Sequence, residues 1–343
     1  MPYPARRRAR LSAVAVTTLV LVPLAAGCSD PGEPDDPAAA DADAVRVESC
    51  GRTLAFDGPP ERAVTLDQSS TETLLELGLA DRMVGTSNLK TEVAPEYQDA
   101  YDQVPVLSPE IPTGEQVREA TPDVVVASFT DNFSRDRVGT RAELAELGVP
   151  SYVSAVDCPE HGDPEVTAFD RLFTDYENYG RIFGVEDRAG VLVDEQRQVI
   201  DEAAAAAEAM EGRPTVVWLY SVYNGLPYVA GGTGLPSEMS ELIGAENAFD
   251  DVNEDWPEVS WEEIADRDPD VIVIGDLSER GAPGDSAEEK LQMLRDDPVT
   301  SQLTAVWEEH IIEVPGIEMD PSVRSVNTLG LVVDGMRDLG YVG

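Results

Sequence analysis

Histidine is nearly absent: His161 and His310 are the only two in 343 residues. A protein that holds bare zinc or manganese needs several imidazoles or thiolates converging on one point. Two scattered histidines exclude that class. The chain also has no Gly-x-Ser-x-Gly elbow and no His-Glu-x-x-His pair, so a secreted hydrolase would lack its positioned base or its zinc. The chain is therefore not expected to be an enzyme, and no cofactor is expected. Positive charge is scarce as well. Lys and Arg number 24 against 67 Asp and Glu, a net charge of −43. Nucleic acid is excluded as a partner, because phosphate backbones demand a basic surface. The acid excess serves either solubility, at high salt for instance, or a cationic partner surface; the second reading can apply only to particular carboxylates. Long apolar runs are missing beyond the first 27 residues, and about 20 such residues are needed to cross a bilayer. Gly231-Gly232-Thr233-Gly234 lacks the lysine and the spacing of a phosphate loop and reads as a flexible turn.

What is present begins with an export signal. Arg6, Arg7, Arg8 and Arg10 precede an apolar stretch from Leu11 to Ala26, and Leu24-Ala25-Ala26-Gly27 leads directly into Cys28. Small residues before a cysteine match a lipoprotein signal peptide over 1–27, with Cys28 as the acylated residue; a plain secretory signal is the other reading. Loss of those four arginines would take the charge from −43 to −47. Residues 28–44 hold no large apolar side chain after the cysteine and are rich in Asp, Glu, Pro and Ala. They form an acidic disordered tether, unable to bury enough surface to offset its ordering entropy. The expected localisation is the extracytoplasmic face of the cell membrane, reached only through the lipid anchor. With Cys28 acylated, Cys50 and Cys158 remain, either a disulfide in an oxidising compartment or two buried thiols.

From Arg62 onward, short β-branched runs alternate with amphipathic helical stretches, the pattern of α/β units. Strands are expected at Ala63–Leu66, Met83–Thr86, Val124–Ala127 and Pro150–Val153. Thr71 should cap a helix ending at Gly78, and another should run from Arg141 to Leu147. Phe169 to Met210 is almost continuously helical in pattern, with Gly184 and Gly190 as possible breaks and Gly212 as the stop. Strand-like sequence resumes at Thr215–Tyr220. Glu115 precedes Pro122-Asp123-Val124-Val125-Val126, and Glu262 precedes Pro269-Asp270-Val271-Ile272-Val273, both at an offset of 147 residues. The match is either a duplication or a shared "helix, Pro-Asp, strand" formula. The expectation is two Rossmann-like α/β lobes, 45–183 and 213–343, joined by a long rigid helix within 184–212, with the ligand cleft between lobes.

Several segments carry a family likeness in order and spacing: Thr65-Leu66 with Ser69-Ser70-Thr71-Glu72, Leu77-Gly78-Leu79-Ala80-Asp81-Arg82-Met83-Val84-Gly85, Thr121-Pro122-Asp123-Val124-Val125, Gly244-Ala245-Glu246-Asn247, Trp256-Pro257-Glu258-Val259-Ser260 and Pro269-Asp270-Val271-Ile272. From about Glu61 to near the C-terminus the chain resembles the iron-siderophore and cobalamin periplasmic binding proteins of ABC importers, those with one rigid inter-lobe helix. The resemblance implies a monomeric, lipid-anchored solute-binding component that captures a small-molecule metal chelate, an iron-siderophore or corrinoid, and delivers it to permease and ATPase subunits. It implies that Glu115 and Glu262 dock on permease arginines; the alternative for each is an ordinary first-turn glutamate favoured by the helix dipole.

In that fold the cleft is lined by loops leaving the C-terminal strand ends. The candidate ligand contacts are Gln68, Ser69, Lys90, Arg135, Arg137, Trp218, Tyr220, Trp256 and Arg324. Aromatic walls suit a large, flat ligand, and the arginines could meet a negatively charged chelate. Trp218 is equally placed for a strand core, and Arg135 and Arg137 for a solvated loop. A surface sensor or scaffold lipoprotein using the same fold without transport stays open, because function lives in the site and its partners.

Overall fold

The computed structural model describes residues 44–210 and 212–342. The signal peptide, Cys28 and all but the last residue of the tether lie outside the described residues. The chain enters through a hairpin, β1 (Val45–Ser49) and β2 (Arg52–Phe56), with Ser49 opposite Arg52. Cys50 and Gly51 form its two-residue turn at φ 47° and 70°. Left-handed geometry at both positions matches the right-handed twist of a tight hairpin.

The first lobe follows as β3 (Ala63–Thr65), α1 (Gln68–Glu76), β4 (Met83–Ser87), α2 (Gln98–Tyr101), β5 (Val106–Ser108), α3 (Gly114–Glu119), β6 (Val124–Ala127), α4 (Arg141–Glu146) and β7 (Ser151–Val153). Its sheet has the order β5-β4-β3-β6-β7 and is parallel throughout. Two helices come next, α5 (Ala168–Phe183) and α6 (Glu186–Ala207). The second lobe contains β8 (Thr215–Tyr223), β9 (Leu226–Val229), α7 (Leu235–Leu242), β10 (Glu246–Asn247), α8 (Trp261–Arg267), β11 (Val271–Asp276), α9 (Ala287–Asp296), α10 (Thr304–Trp307), β12 (Ile311–Pro315) and α11 (Ser325–Asp338). Its sheet runs β10-β8-β11-β12 in parallel, with β9 antiparallel on β8.

The expected strands are found within a residue or two, save that Thr215–Tyr220 extends to Tyr223. Two helix details differ. Asp67, not Thr71, caps α1, its carboxylate accepting from the Ser70 amide. The Asp67 carboxylate, four residues upstream, takes the cap, and the Thr71 hydroxyl donates to the Asp67 carbonyl. Of the two glycines in the long helical stretch, only Gly184 breaks it, at φ 68°. Gly190 stays inside α6, where tertiary packing outweighs its cost of roughly 1 kcal/mol.

The 147-residue offset is realised in three dimensions. Thr113 caps α3 and Ser260 caps α8, each in a reciprocal capping box closed by Gln116 or Glu263. Asp123 then accepts from the amides of Glu61 and Arg62, and Asp270 accepts from the amide of Thr215. Each Pro-Asp turn thereby pins the entry of the neighbouring central strand, β3 or β8. The central strands are buried on both faces, as covered parallel strands must be. Val124 and Val126 of β6, Trp218 of β8 and Val273 of β11 join one large hydrophobic cluster that also takes in residues of α5, α6 and α11. The alternate residues feed two smaller clusters, one per lobe. A core continuous through α5, α6 and α11 resists large hinge motion between the sheets, since packed interiors deform poorly.

Cys50 and Cys158 form a disulfide with Cα atoms 5.5 Å apart, and the buried Arg141 guanidinium donates to the carbonyls of Ser49 and Ser151. Both ties hold the hairpin to the first lobe. Cys50→Ser combined with Cys158→Ser releases a loop of 108 residues and is expected to lower the unfolding free energy by about 2–5 kcal/mol. Urea unfolding checks this; a loss below about 1 kcal/mol would assign the hairpin's attachment to Arg141 alone.

Candidate functional site

Parallel α/β sheets place their binding crevice at the carboxyl ends of the strands, and the two sheets here present those ends to one cleft. A cavity of about 300 Å³ opens there. Lys90, past the end of β4, and Phe129, past β6, come from the first lobe. Tyr220 on β8, Trp256, Arg280 and Asp320 come from the second. A larger recess of about 1120 Å³ shares Lys90 and Arg280 with it and runs along 88–93 and 279–282.

Lys90 is the polar centre. Its Nζ donates to Tyr220 Oη at 2.5 Å and to Asp320 Oδ2 at 2.6 Å, so it ties the lobes together. It also stands 5.0 Å from the Tyr220 ring centre and 5.4 Å from that of Phe129, within cation–π reach. Burial alone would lower its pKa, but the Asp320 carboxylate and Tyr220 outweigh that and hold it above the ordinary lysine value. Lys90 is therefore cationic throughout the physiological range. Tyr220 in turn packs on Trp256 with ring centres 4.6 Å apart. Arg280 is paired with the buried Asp285, a contact that raises its pKa further.

The candidate residues divide into three sets. Lys90, Tyr220 and Trp256 meet in the cavity. Gln68 and Arg324 stand beside it. Gln68 Oε1 accepts from the amides of Lys90 and Thr91, and its Nε2 donates to Glu72; it positions the loop that carries Lys90. Arg324 bridges the lobes, reaching Glu72 on α1 at 3.5 Å and Glu318 at 3.2 Å, and lines a neighbouring recess with Glu92 and Glu279. Ser69 is buried in the first turn of α1, its Oγ without a hydrogen-bond partner among the described residues.

The remaining three are corrected by the structure. Trp218 is fully buried in the core and donates Nε1–H to Ser240; β8 is covered on both faces at this level, and only toward its carboxyl end does Tyr220 reach the cavity. Arg135 and Arg137 line a separate surface recess of about 560 Å³ beside Glu115. Arg135 is 82% exposed and pairs with Glu143 at 3.4 Å. The loop after β6 turns away past Phe133, whose burial carries the arginines with α4 instead of the cleft. Glu115 and Glu262 are both exposed, in the first turns of α3 and α8. Sequence reasoning missed Asp320, Arg280 and Asp285. Their signal was faint: an acid beside a proline, and an Arg–Asp spacing of five in a loop full of acids.

Past Trp256 the cleft becomes acidic. A recess of about 710 Å³ is lined by Asp157, Glu238, Glu254 and Asp255 among other acids, with Arg171 the one cation lining it among the described residues. Gly231 and Gly232 sit here against the backbone carbonyls of Glu254 and Asp250, where a side chain would collide. That close approach, not flexibility, explains the glycine run. Burial pushes Asp157 up to about 6, and burial with the charges of Asp157 and Asp320 pushes Asp255 up to about 7. Burial likewise raises Asp175, beneath β7, to about 7. These carboxyls hold protons longer in the folded state than in the unfolded one. Their contribution to stability is full below about pH 4 and is lost as pH rises to about 7. Lys290, lowered by burial to about 8, is charged in both states below that pH and adds no slope. The melting temperature is expected to fall by several degrees between pH 5 and 7.5. A flat or rising profile by calorimetry would contradict these assignments.

Two α/β sheets with a cleft at their strand ends and a shared helical core define a bilobal binding protein. Residues 64–317 match the family described as Periplasmic binding protein, and the chain belongs to that family. It is an extracytoplasmic solute-binding protein and not an enzyme. Among curated relatives it is 29% identical to a cobalamin-binding protein of Halobacterium salinarum over 332 residues, covering 90% of this chain and 83% of that one. A periplasmic binding protein from Veillonella parvula superposes with a TM-score of 0.75 at 28% identity, covering 86% of this chain and 98% of the other. An ABC-type Fe3+-hydroxamate transport system from Saccharomonospora viridis gives a TM-score of 0.71 at 27% identity, covering 85% and 98%.

Proposed function

We propose that this chain is the solute-binding subunit of an ABC importer and that its cleft takes a bulky metal chelate, a corrinoid or a ferric hydroxamate siderophore. The observation that carries the reading is the cavity between Phe129 on one lobe and Tyr220 with Trp256 on the other. Rigid aromatics bury much ligand surface with few rotamers to freeze. The relatives that bind cobalamin or belong to Fe3+-hydroxamate transport support the same ligand classes. The lobes are 45–183 and 213–343, and α6 within 184–212 is the stiff link between them. Lipid on Cys28 anchors the monomer to the extracytoplasmic face of the membrane.

Delivery uses Glu115 and Glu262. Both are exposed, and both occupy the second position of a box-capped helix. Two fixed charges of this kind set orientation and steer encounter with cationic permease sites more than they add affinity. Glu115→Lys with Glu262→Lys should leave ligand affinity unchanged within about twofold and cut cellular uptake by at least about tenfold. Undiminished uptake by the double variant would remove the docking role.

A further inference from the structure

The cleft's charge arrangement deepens that reading, and rests on it, by naming the ligand's charge class. We infer that the site selects metal chelates of zero or positive net charge that present hydrogen-bond donors, and rejects anionic ones. Two cations line the cavity, and each is neutralised by a carboxylate of the second lobe that is itself almost wholly buried. Lys90 holds Asp320, 1% exposed, at 2.6 Å. Arg280 holds Asp285, also 1% exposed. Neither positive charge is left over for an anionic ligand. Arg135 and Arg137, the cations the sequence offered for that task, lie in another recess. Arg324 is shared between Glu72 and Glu318, one positive charge against two carboxyls.

The group left unsatisfied is an acceptor. Asp320 lines the cavity, and its Oδ1 is buried with no hydrogen-bond partner among the described residues. A buried acceptor without a donor costs about 1–3 kcal/mol, and a ligand N–H or O–H aimed at it would recover that. An anion brought to the same place would meet a like charge in a poorly screened setting. Asp157, Glu238 and Asp255 line the neighbouring recess and add negative field there once they ionise, Asp255 last, as pH passes about 7. Amide-fringed chelates supply donors without net negative charge; catecholate complexes, which are polyanions, do the reverse. Discrimination here arises from a repulsive element as much as an attractive one.

The test uses two charge series on the purified full-length protein, each on an unchanging scaffold. One is aquocobalamin, cyanocobalamin and a cyanocobalamin monocarboxylate made by hydrolysing one side-chain amide. The other is ferrioxamine B, its N-acetyl form and its N-succinyl form. Each series runs from one positive charge through neutral to one negative. Within whichever series binds, the anion should bind at least about tenfold more weakly than the neutral form, and the gap should shrink in high salt. Asp320→Asn should narrow the gap by freeing Lys90. Should that variant fold poorly, Asp255→Asn leaves the Lys90–Asp320 pair intact and should narrow it too at about pH 7.5, where Asp255 is mostly ionised. An anion binding within threefold of the neutral form, or more tightly, overturns the charge class while leaving the importer reading standing. Absence of binding by every member of both series takes down the importer reading and this inference together.

Discussion

Trp256→Ala is expected to weaken ligand binding by about 30- to 1000-fold, the range spanned when a central aromatic anchor is truncated. Trp256 is only partly buried, its ring packs on Tyr220 at 4.6 Å and it forms part of the cavity wall. Ligand would cover the face that now meets solvent, so most of the energy of this side chain is held for the complex. The stability cost should be small by comparison, about 1 kcal/mol, because the residue lies at the edge of the core. Trp256→Phe keeps a ring for stacking and should recover most of the affinity. Equal affinity for wild type and Trp256→Ala would move the ligand elsewhere in the cleft.

Lys90→Met is expected to destabilise the protein by about 3–5 kcal/mol, the usual consequence of leaving one partner of a buried ion pair without the other. Among the described residues the Asp320 carboxylate would keep only Tyr220, at 3.1 Å, and its Oδ1 is already unpartnered. Lys90→Met with Asp320→Asn removes both charges, and the double variant should regain a large part of the loss, because the pair itself is near break-even against apolar replacement. Urea unfolding of the three variants forms the cycle. Additive losses would show that Lys90 and Asp320 are not coupled across the cleft.

Much of the fold was legible because its signals are local. Val124-Val125-Val126-Ala127 and Val271-Ile272-Val273 are apolar without alternation, which only a doubly covered strand tolerates. The repeat of Glu115 and Asp123 at Glu262 and Asp270 announced two related units, and the capping boxes and Pro-Asp locks show its physical content. The site was legible only in part. Lys90, Tyr220 and Trp256 follow from strand-end position and residue type. Trp218 and Tyr220 differ by two positions on one strand, and burial separates them: one is sealed against Ser240, the other reaches the cleft. Nothing in the local sequence marks where a sheet's edge gives way to open space. Arg135 and Arg137 misled for a related reason. Their charge suited an anionic ligand, but the direction of the loop after β6 is set by where Phe133 buries. Asp320, which decides the charge of the whole cavity, is one acid among 67 and gains its meaning only from Lys90, 230 residues away.

The central claim is that the inter-lobe cleft binds a bulky metal chelate. Thermal unfolding of the full-length protein, with corrinoids and ferric hydroxamates added one at a time, tests it most directly. A true ligand at about 100 times its dissociation constant should add about 2.7 kcal/mol of stability, and tryptophan quenching should saturate at one ligand per chain. Well-folded protein whose melting point moves with none of these compounds would contradict the account.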